Sequence, residues 1–287
     1  MPTLQQSTKQ RSEHGQISNY TLPLSRDLAI RVYSDTRPRN WRISGLQKGL
    51  ILVFGGRETV GEGTGFGAPI LLYRDETYFS GSSNVYVSKQ QESVIVRKEF
   101  FMDRILRETF RNVRLENPKI LNRFKNLGRL YQKHGGPWFL HLKSLLFRFG
   151  IKPNFITVAM KGKVTVTYSI MRNRIRVNAD FSEVEKGDLH RVFMMNEQSS
   201  IFFAKYEVSD GTSWDNIQVG PWDQVTNKYA RIMNTKNNIG FRLETKEGCV
   251  LCCGREFLKG HLDWTGLDYE INPKTSIFEY DIEIMGG

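Results

Sequence analysis

Cysteine is scarce in this chain: Cys249, Cys252 and Cys253 are the three present in 287 residues, and they fall within five positions of one another. An odd number so closely crowded excludes the disulfide framework of a small secreted domain and points to reduced thiols. Long apolar runs are also lacking. No stretch approaches the roughly 20 residues that a bilayer-spanning helix needs. The first positions, Met1 to Tyr20, are rich in Gln, Ser, Thr and Lys and lack the apolar core of a signal peptide. The expectation is a soluble, cytoplasmic protein with residues 1–20 as a flexible tail and 21–287 as a single β-rich domain. Negative charge is in deficit, with 30 acidic residues against 41 basic ones and a formal charge of +11.

The positive charge is localised. Between Arg97 and Lys152 fourteen basic residues face four acidic ones, which leaves +10 of the +11 in this segment. Any electrostatic partner is therefore sought there first. Within it, Phe101, Ile105, Phe110 and Val113, then Ile120, Leu121, Phe124, Leu127, Leu130 and Tyr131, recur mostly three or four apart. That spacing predicts a basic α-helical insertion at about 98–150. Pro118 suits a helix start after Asn117, and Gly135-Gly136-Pro137 breaks the pattern. Arg and Lys interleaved with aromatics suit an anionic partner, either nucleic acid or a membrane surface; the plainer reading is a helical layer over a sheet.

Elsewhere the chain reads as strands. Leu28 to Tyr33, Gly49 to Phe54, Ala68 to Tyr73 and Asn84 to Val87 precede the basic segment. Thr157 to Tyr168, Arg174 to Phe181, Val192 to Met195, Ser200 to Val208, Ile239 to Thr245, Cys249 to Cys253, Leu267 to Ile271 and Ile277 to Ile284 follow it. Lys163 to Tyr168 and Asn173 to Asp180 alternate branched and polar residues around a short turn, a hairpin signal. Many short strands without intervening helices imply a mainly β fold, a large antiparallel β-sandwich. In length and in this steady run of strands the chain loosely resembles the supersandwiches of the galactose-mutarotase-like group. The resemblance is one of fold, without a matching catalytic motif, and implies a carbohydrate ligand as an expectation.

Chemistry-bearing candidates concentrate late in the chain. Trp214-Asp215, Trp222-Asp223 and Asp263-Trp264 each set an indole beside a carboxylate in Gly- or Pro-containing stretches. Sugars need both a flat apolar face and hydrogen-bond acceptors, whereas the bland alternative is aromatics plugging the end of a sandwich. His261, Asp263, Glu270 and His190 are the candidates for acid or base work, with Asp268 beside them. The run Gly61-Glu62-Gly63-Thr64-Gly65-Phe66-Gly67 clears one face of an extended segment, so something approaches that backbone closely. Its context, a second strand in place of a helix, argues against a phosphate loop; as a cleft wall it would offer Glu62. The cysteine cluster has the wrong spacing for a zinc site and reads as buried in a strand. No cofactor or metal is implied. The expected function is binding or processing of a carbohydrate or related polar ligand, with the nucleic-acid or anionic-membrane module as the alternative. A homo-oligomer is compatible with either.

Overall fold

Alternation of buried and exposed side chains sets the architecture. In Leu28–Tyr33 and Arg174–Asp180 every second residue is buried, as a strand with one face on a core requires. The computed structural model describes residues 19–34, 47–61, 63–74, 76–90, 93–109, 113–114, 153–219, 222–258 and 262–286; for 104–109, 113–114, 153–159, 258 and 262 the backbone alone is described. Two antiparallel sheets result. The smaller has the order β1 (Asn19–Pro23), β2 (Leu28–Tyr33), β3 (Ile51–Phe54), β4 (Arg57–Glu58).

The larger sheet uses β5 (Gly65–Tyr73), β6 (Glu76–Lys89), β7 (Val94–Thr109), β8 (Val113–Arg114), β9 (Pro153–Ile170), β10 (Arg174–Asp180), β11 (Leu189–Gln198) and β12 (Lys205–Val208). It continues with β13 (Ser213–Asp215), β14 (Asp223–Gln224), β15 (Tyr229–Asn234), β16 (Ile239–Glu244), β17 (Cys249–Leu258), β18 (Leu262–Ile271) and β19 (Ile277–Met285). Its order is β13-β12-β15-β16-β19-β10-β9-β7-β6-β5-β11-β18-β17-β14, with β8 paired to β7.

A path this long folds back on itself, and the side chains show how. Tyr168 on β9 donates its hydroxyl to the Gly67 carbonyl on β5 (2.8 Å), and Tyr280 on β19 donates to Asn196 Oδ1 on β11 (2.9 Å). Tyr206 on β12 reaches the carbonyls of Gly254 on β17 (2.8 Å) and Gly266 on β18 (3.1 Å). Tyr269 on β18 donates to the Glu244 carbonyl on β16. Strands β12, β15, β16, β19, β10 and β9 thus lie over β5, β11, β18 and β17, with β7 and β6 completing the turn between the layers. Phe66, Phe203 and Phe241 interlock edge to face between them at 5.0 and 5.6 Å. The small sheet joins the same core through Leu22, Ile30, Val32, Leu50 and Leu52. Leu50 and Phe66 exchange backbone hydrogen bonds of 2.9 and 2.7 Å. Lys98, fully buried on β7, donates to the carbonyls of Tyr33 (3.2 Å) and Lys48 (2.6 Å) and so ties the small sheet to the large one.

The sandwich expectation agrees with this antiparallel two-layer arrangement, and the hairpin at 163–180 pairs from Thr165↔Asp180 to Ile170↔Ile175. The basic helical insertion needs correction. Residues 98–109 continue β7, and 113–114 form β8, so Phe101, Ile105 and Val113 are strand residues. The buried alternation on β7 runs Val96, Lys98, Phe100, Met102. A lysine in a core position broke the apolar signature of this strand and hid its period. The rest of that expectation, at 110–112 and 115–150, lies outside the described residues, as do 1–18 of the expected tail; Asn19 and Tyr20 already belong to β1.

Gly67 has φ +72°, and a Cβ there would stand 2.6 Å from Tyr168 Cε1. Gly67→Ala is expected to lower the unfolding free energy by roughly 2–4 kcal/mol, the sum of left-handed backbone strain and overpacking. Gly211→Ala, with φ +86° and nothing within 4 Å, should cost only the backbone part, about 1–2 kcal/mol. Urea unfolding of the two variants measures the difference, and equal losses would contradict the tight packing at Gly67.

Candidate functional site

The two ends of the large sheet's path meet in the chain. β13 and β14 are its edge strands, yet only residues 216–222 separate them, including a 3-10 turn at Asn216–Gln218. Asn216 pins that turn: its backbone N–H donates to the Ala204 carbonyl (2.7 Å) and its side-chain amide to those of Ser200 and Phe203 (2.7 Å each). Between the edges lies a cleft of about 280 Å³ lined by Val208, Trp214, Gln218, Asp223, Gln224, Val225, Thr226, Asn227 and Cys253. Trp214 borders it as a fixed plate, parallel within 4° to Tyr206 at 6.0 Å. Asn227 is held by Asp210 at 2.9 Å.

The paired Trp-Asp motifs separate in space. Neighbouring residues of an extended chain face opposite ways, so Trp214 joins Asp223 at the cleft while Asp215 is exposed elsewhere. Trp222, at φ 69° and 38% exposed, instead packs on Trp264 (5.8 Å) and Phe193 (5.2 Å). Trp264 is buried and donates its indole N–H to Glu256 Oε2 (3.2 Å).

The acid and base candidates do not converge on one pocket. Asp263 accepts from Ser199 Oγ (2.5 Å), Ser200 N and Oγ (2.7 Å each) and Ile201 N (3.2 Å), so its carboxylate holds the turn after β11. Glu270 forms a two-pronged pair with Arg191 at 2.6 and 2.5 Å, and Arg191 also lies 4.7 Å over the Phe193 ring. His190 is exposed on β11. His261 and Glu62 lie outside the described residues. Cys252 and Cys253 are buried, and burial pushes their thiols up to about 11 and about 12, far from a reactive thiolate.

Sequence reasoning missed one group. Glu197 on β11 and Asp268 on β18 are both buried, and Glu197 Cγ and Asp268 Oδ2 both crowd over Gly266. Asp268 stood among the titratable residues of the sequence; Glu197 did not. Its signal was a polar run, Asn196-Glu197-Gln198, in a strand otherwise buried to its end. The glycine-rich run packs on this face. A Cβ on Gly63 would stand 2.9 Å from Glu197 Cβ and 3.2 Å from Trp264 Cβ, which is the close approach the run implies. Of the basic segment, Arg97 pairs with Glu99 at 3.0 Å and Lys98 is internal. The side chains of 104–152 lie outside the described residues.

No protein-family model matches the chain, and no curated protein matches it. Among solved structures, the α-N-acetylgalactosaminidase NagBb from Bifidobacterium bifidum, in complex with GalNAc, superposes with a TM-score of 0.48 at 7% identity, over 94% of this chain and 36% of that one. The chain thus spans little more than a third of that enzyme's length. The Slr1438 protein from Synechocystis sp. PCC 6803 superposes with a TM-score of 0.42 at 10% identity, over 98% of this chain and 100% of that one. At these scores neither likeness carries an argument about chemistry.

Asp263 is a turn-holding residue by its contacts. Asp263→Ala is expected to lose roughly 2–4 kcal/mol of stability, from the several donors left without an acceptor. Asp263→Asn, which keeps one carbonyl oxygen, should lose less. Chemical denaturation of both variants checks the order, and a stability-neutral alanine would return Asp263 to the list of functional acids.

Proposed function

We propose that the protein binds a small neutral polyhydroxylated ligand, a sugar or a related polar molecule, in the cleft between β13 and β14. The observation that carries this reading is the composition of its walls: Trp214 beside the side chains of Gln218, Asp223, Gln224, Thr226 and Asn227. Sugar rings offer C–H faces that lie on an aromatic plate and hydroxyls that both donate and accept. Amide and hydroxyl side chains answer the second need, and a fixed indole the first. At about 280 Å³ the cleft stands at the small end of ligand pockets, which span roughly 300–1,000 Å³. A single ring fits this scale better than a long oligosaccharide.

The proposed role is binding. Glycoside hydrolysis by a carboxyl pair needs two such groups flanking the bond. Among the described residues lining the cleft, Asp223 is the one carboxylate. Glu197 and Asp268 sit on the opposite face of their sheet: Asp268 pairs with Cys252, whereas the next residue, Cys253, lines the cleft.

Calorimetric titration of a panel of monosaccharides and disaccharides into the wild type and Trp214→Ala tests this. At least one sugar should bind, and the variant should bind it about tenfold more weakly, since an aromatic stacking contact contributes about 0.5–1.5 kcal/mol. Absence of binding across the panel, or equal binding by the variant, would remove the reading.

A further inference from the structure

Glu197 stands in a row of glycines across the outer face of one layer. Its strand partners are Gly65 on β5 and Gly266 on β18, and Gly266 in turn faces Gly254 on β17. Without side chains on either side, its carboxyl lies down on the sheet. Asp268, one pleat along β18, leans toward the same place: a Cβ on Gly266 would meet Glu197 Cγ at 3.0 Å and Asp268 Oδ2 at 3.2 Å. Glu197 is 4% exposed and Asp268 0%.

Their hydrogen bonds are unequal. Glu197 Oε2 accepts from the backbone N–H of Thr64 (2.8 Å) and from its hydroxyl (2.9 Å). Asp268 Oδ1 accepts from Asn196 N (2.5 Å), and Asp268 Oδ2, fully buried, accepts from no described residue. Two ionised carboxylates in such a place repel each other with little water to screen them. A proton kept on Asp268 relieves the repulsion and gives Oδ2 the hydrogen that its surroundings do not supply, which leaves Glu197 as the member whose charge varies.

We propose that Glu197, crowded by Asp268, is a proton-operated latch on Thr64, which keeps Gly63 and Thr64 down on the sheet while Glu197 carries its proton and lets them lift when that proton leaves. The charged and titratable groups around the pair set the direction. Glu256 on β17 opposes ionisation of Glu197, Lys48 ahead of β3 favours it, and Glu197 in turn opposes ionisation of Asp268 on β18. Cys252 on β17 shares the face of Asp268, and Cys253 on β17, Tyr206 on β12 and Tyr280 on β19 act on it through the sheet from the core side. Burial outweighs the two Thr64 hydrogen bonds and lifts Glu197 from the ordinary 4.5 to about 7; burial, with Glu197 beside it, also raises Asp268.

Lifting the segment returns Glu197 to water and to its ordinary value, so the closed form binds the proton more tightly than the open one. By linkage the closed form is fully favoured below the ordinary carboxylate value, and that advantage is lost as pH rises to about 7. The difference in proton affinity limits the change in the opening equilibrium to a few hundredfold.

Amide hydrogen exchange at Gly63 and Thr64, corrected for the intrinsic pH dependence of exchange, reads this equilibrium directly. Between about pH 5 and about pH 8 the opening constant should rise on the order of a hundredfold in the wild type. It should stay flat in Glu197→Gln, which keeps an oxygen to accept from Thr64 and never ionises. Amides of Val177 and Ile282 in the opposite layer serve as the unresponsive control. A flat wild-type curve overturns the proposal on its own, as does a Glu197→Gln curve that follows the wild type. Should that variant fail to fold, Glu197→Met, equally unable to ionise and so also expected to be flat, takes its place, with the wild-type curve still decisive.

Discussion

The fold depends on buried tyrosines that reach across the core to a backbone carbonyl or side-chain oxygen of the facing layer. Tyr168, Tyr206, Tyr269 and Tyr280 are all almost fully buried, and each hydroxyl ends on an acceptor from the other side of the sandwich. A phenol fills the core with apolar surface and then needs a partner for its one polar group. Gly67, Gly254 and Gly266 present bare carbonyls where a side chain would have held the tyrosine off. One set of contacts thereby fixes both the spacing of the layers and their offset. Burial drives these phenols well above their ordinary pKa, so they remain neutral donors and the ties persist.

Folding a single sheet over itself leaves two edges, and the location of the cleft follows from them. The edge strands have three and two residues, β13 and β14; edges this short offer little to a passing strand. The short connection between them keeps the edges close without letting them pair, and Asn216 locks that connection. What remains is a gap in an otherwise closed core. It is lined by the polar residues that edge and turn positions favour and backed by the Tyr206–Trp214 stack. The candidate site is thus a by-product of how the sandwich closes, which is why residues from β12, β13, β14 and β17 contribute to it.

Much of this fold was legible in the sequence because half-buried strands write their period plainly. Leu28 to Tyr33, Arg174 to Phe181 and Ile277 to Ile284 coincide closely with observed strands. The failure at β7 has a physical cause: Lys98 occupies an inward position, where its ammonium bonds two backbone carbonyls and lies 5.2 Å from the centre of the Phe100 ring. No period count reads a lysine as core. Adjacency misled in the opposite sense. Trp214-Asp215 and Trp222-Asp223 look like ready-made pairs in one dimension, but strand alternation divides each of them. The partner that Trp214 meets at the cleft is Asp223, which no local pattern announces. The glycine run did announce a close approach; what it could not name was Glu197, because contacts with a residue more than 130 positions away leave no local trace.

The acidic residues of β18 show why residue type alone does not assign chemistry. Asp263, Asp268 and Glu270 share one strand. Asp263 is surrounded by serine hydroxyls and backbone N–H groups, and Glu270 by a guanidinium; each negative charge has what it needs and serves to position the chain. Asp268 has one donor, a second carboxyl leaning over the same glycine, and an oxygen facing no described donor. Only the last carries an electrostatic conflict that a change in protonation can resolve. A carboxylate becomes responsive to pH where the fold withholds donors from it. Here the glycines that let tyrosines reach across the core also let two acids settle where donors run short.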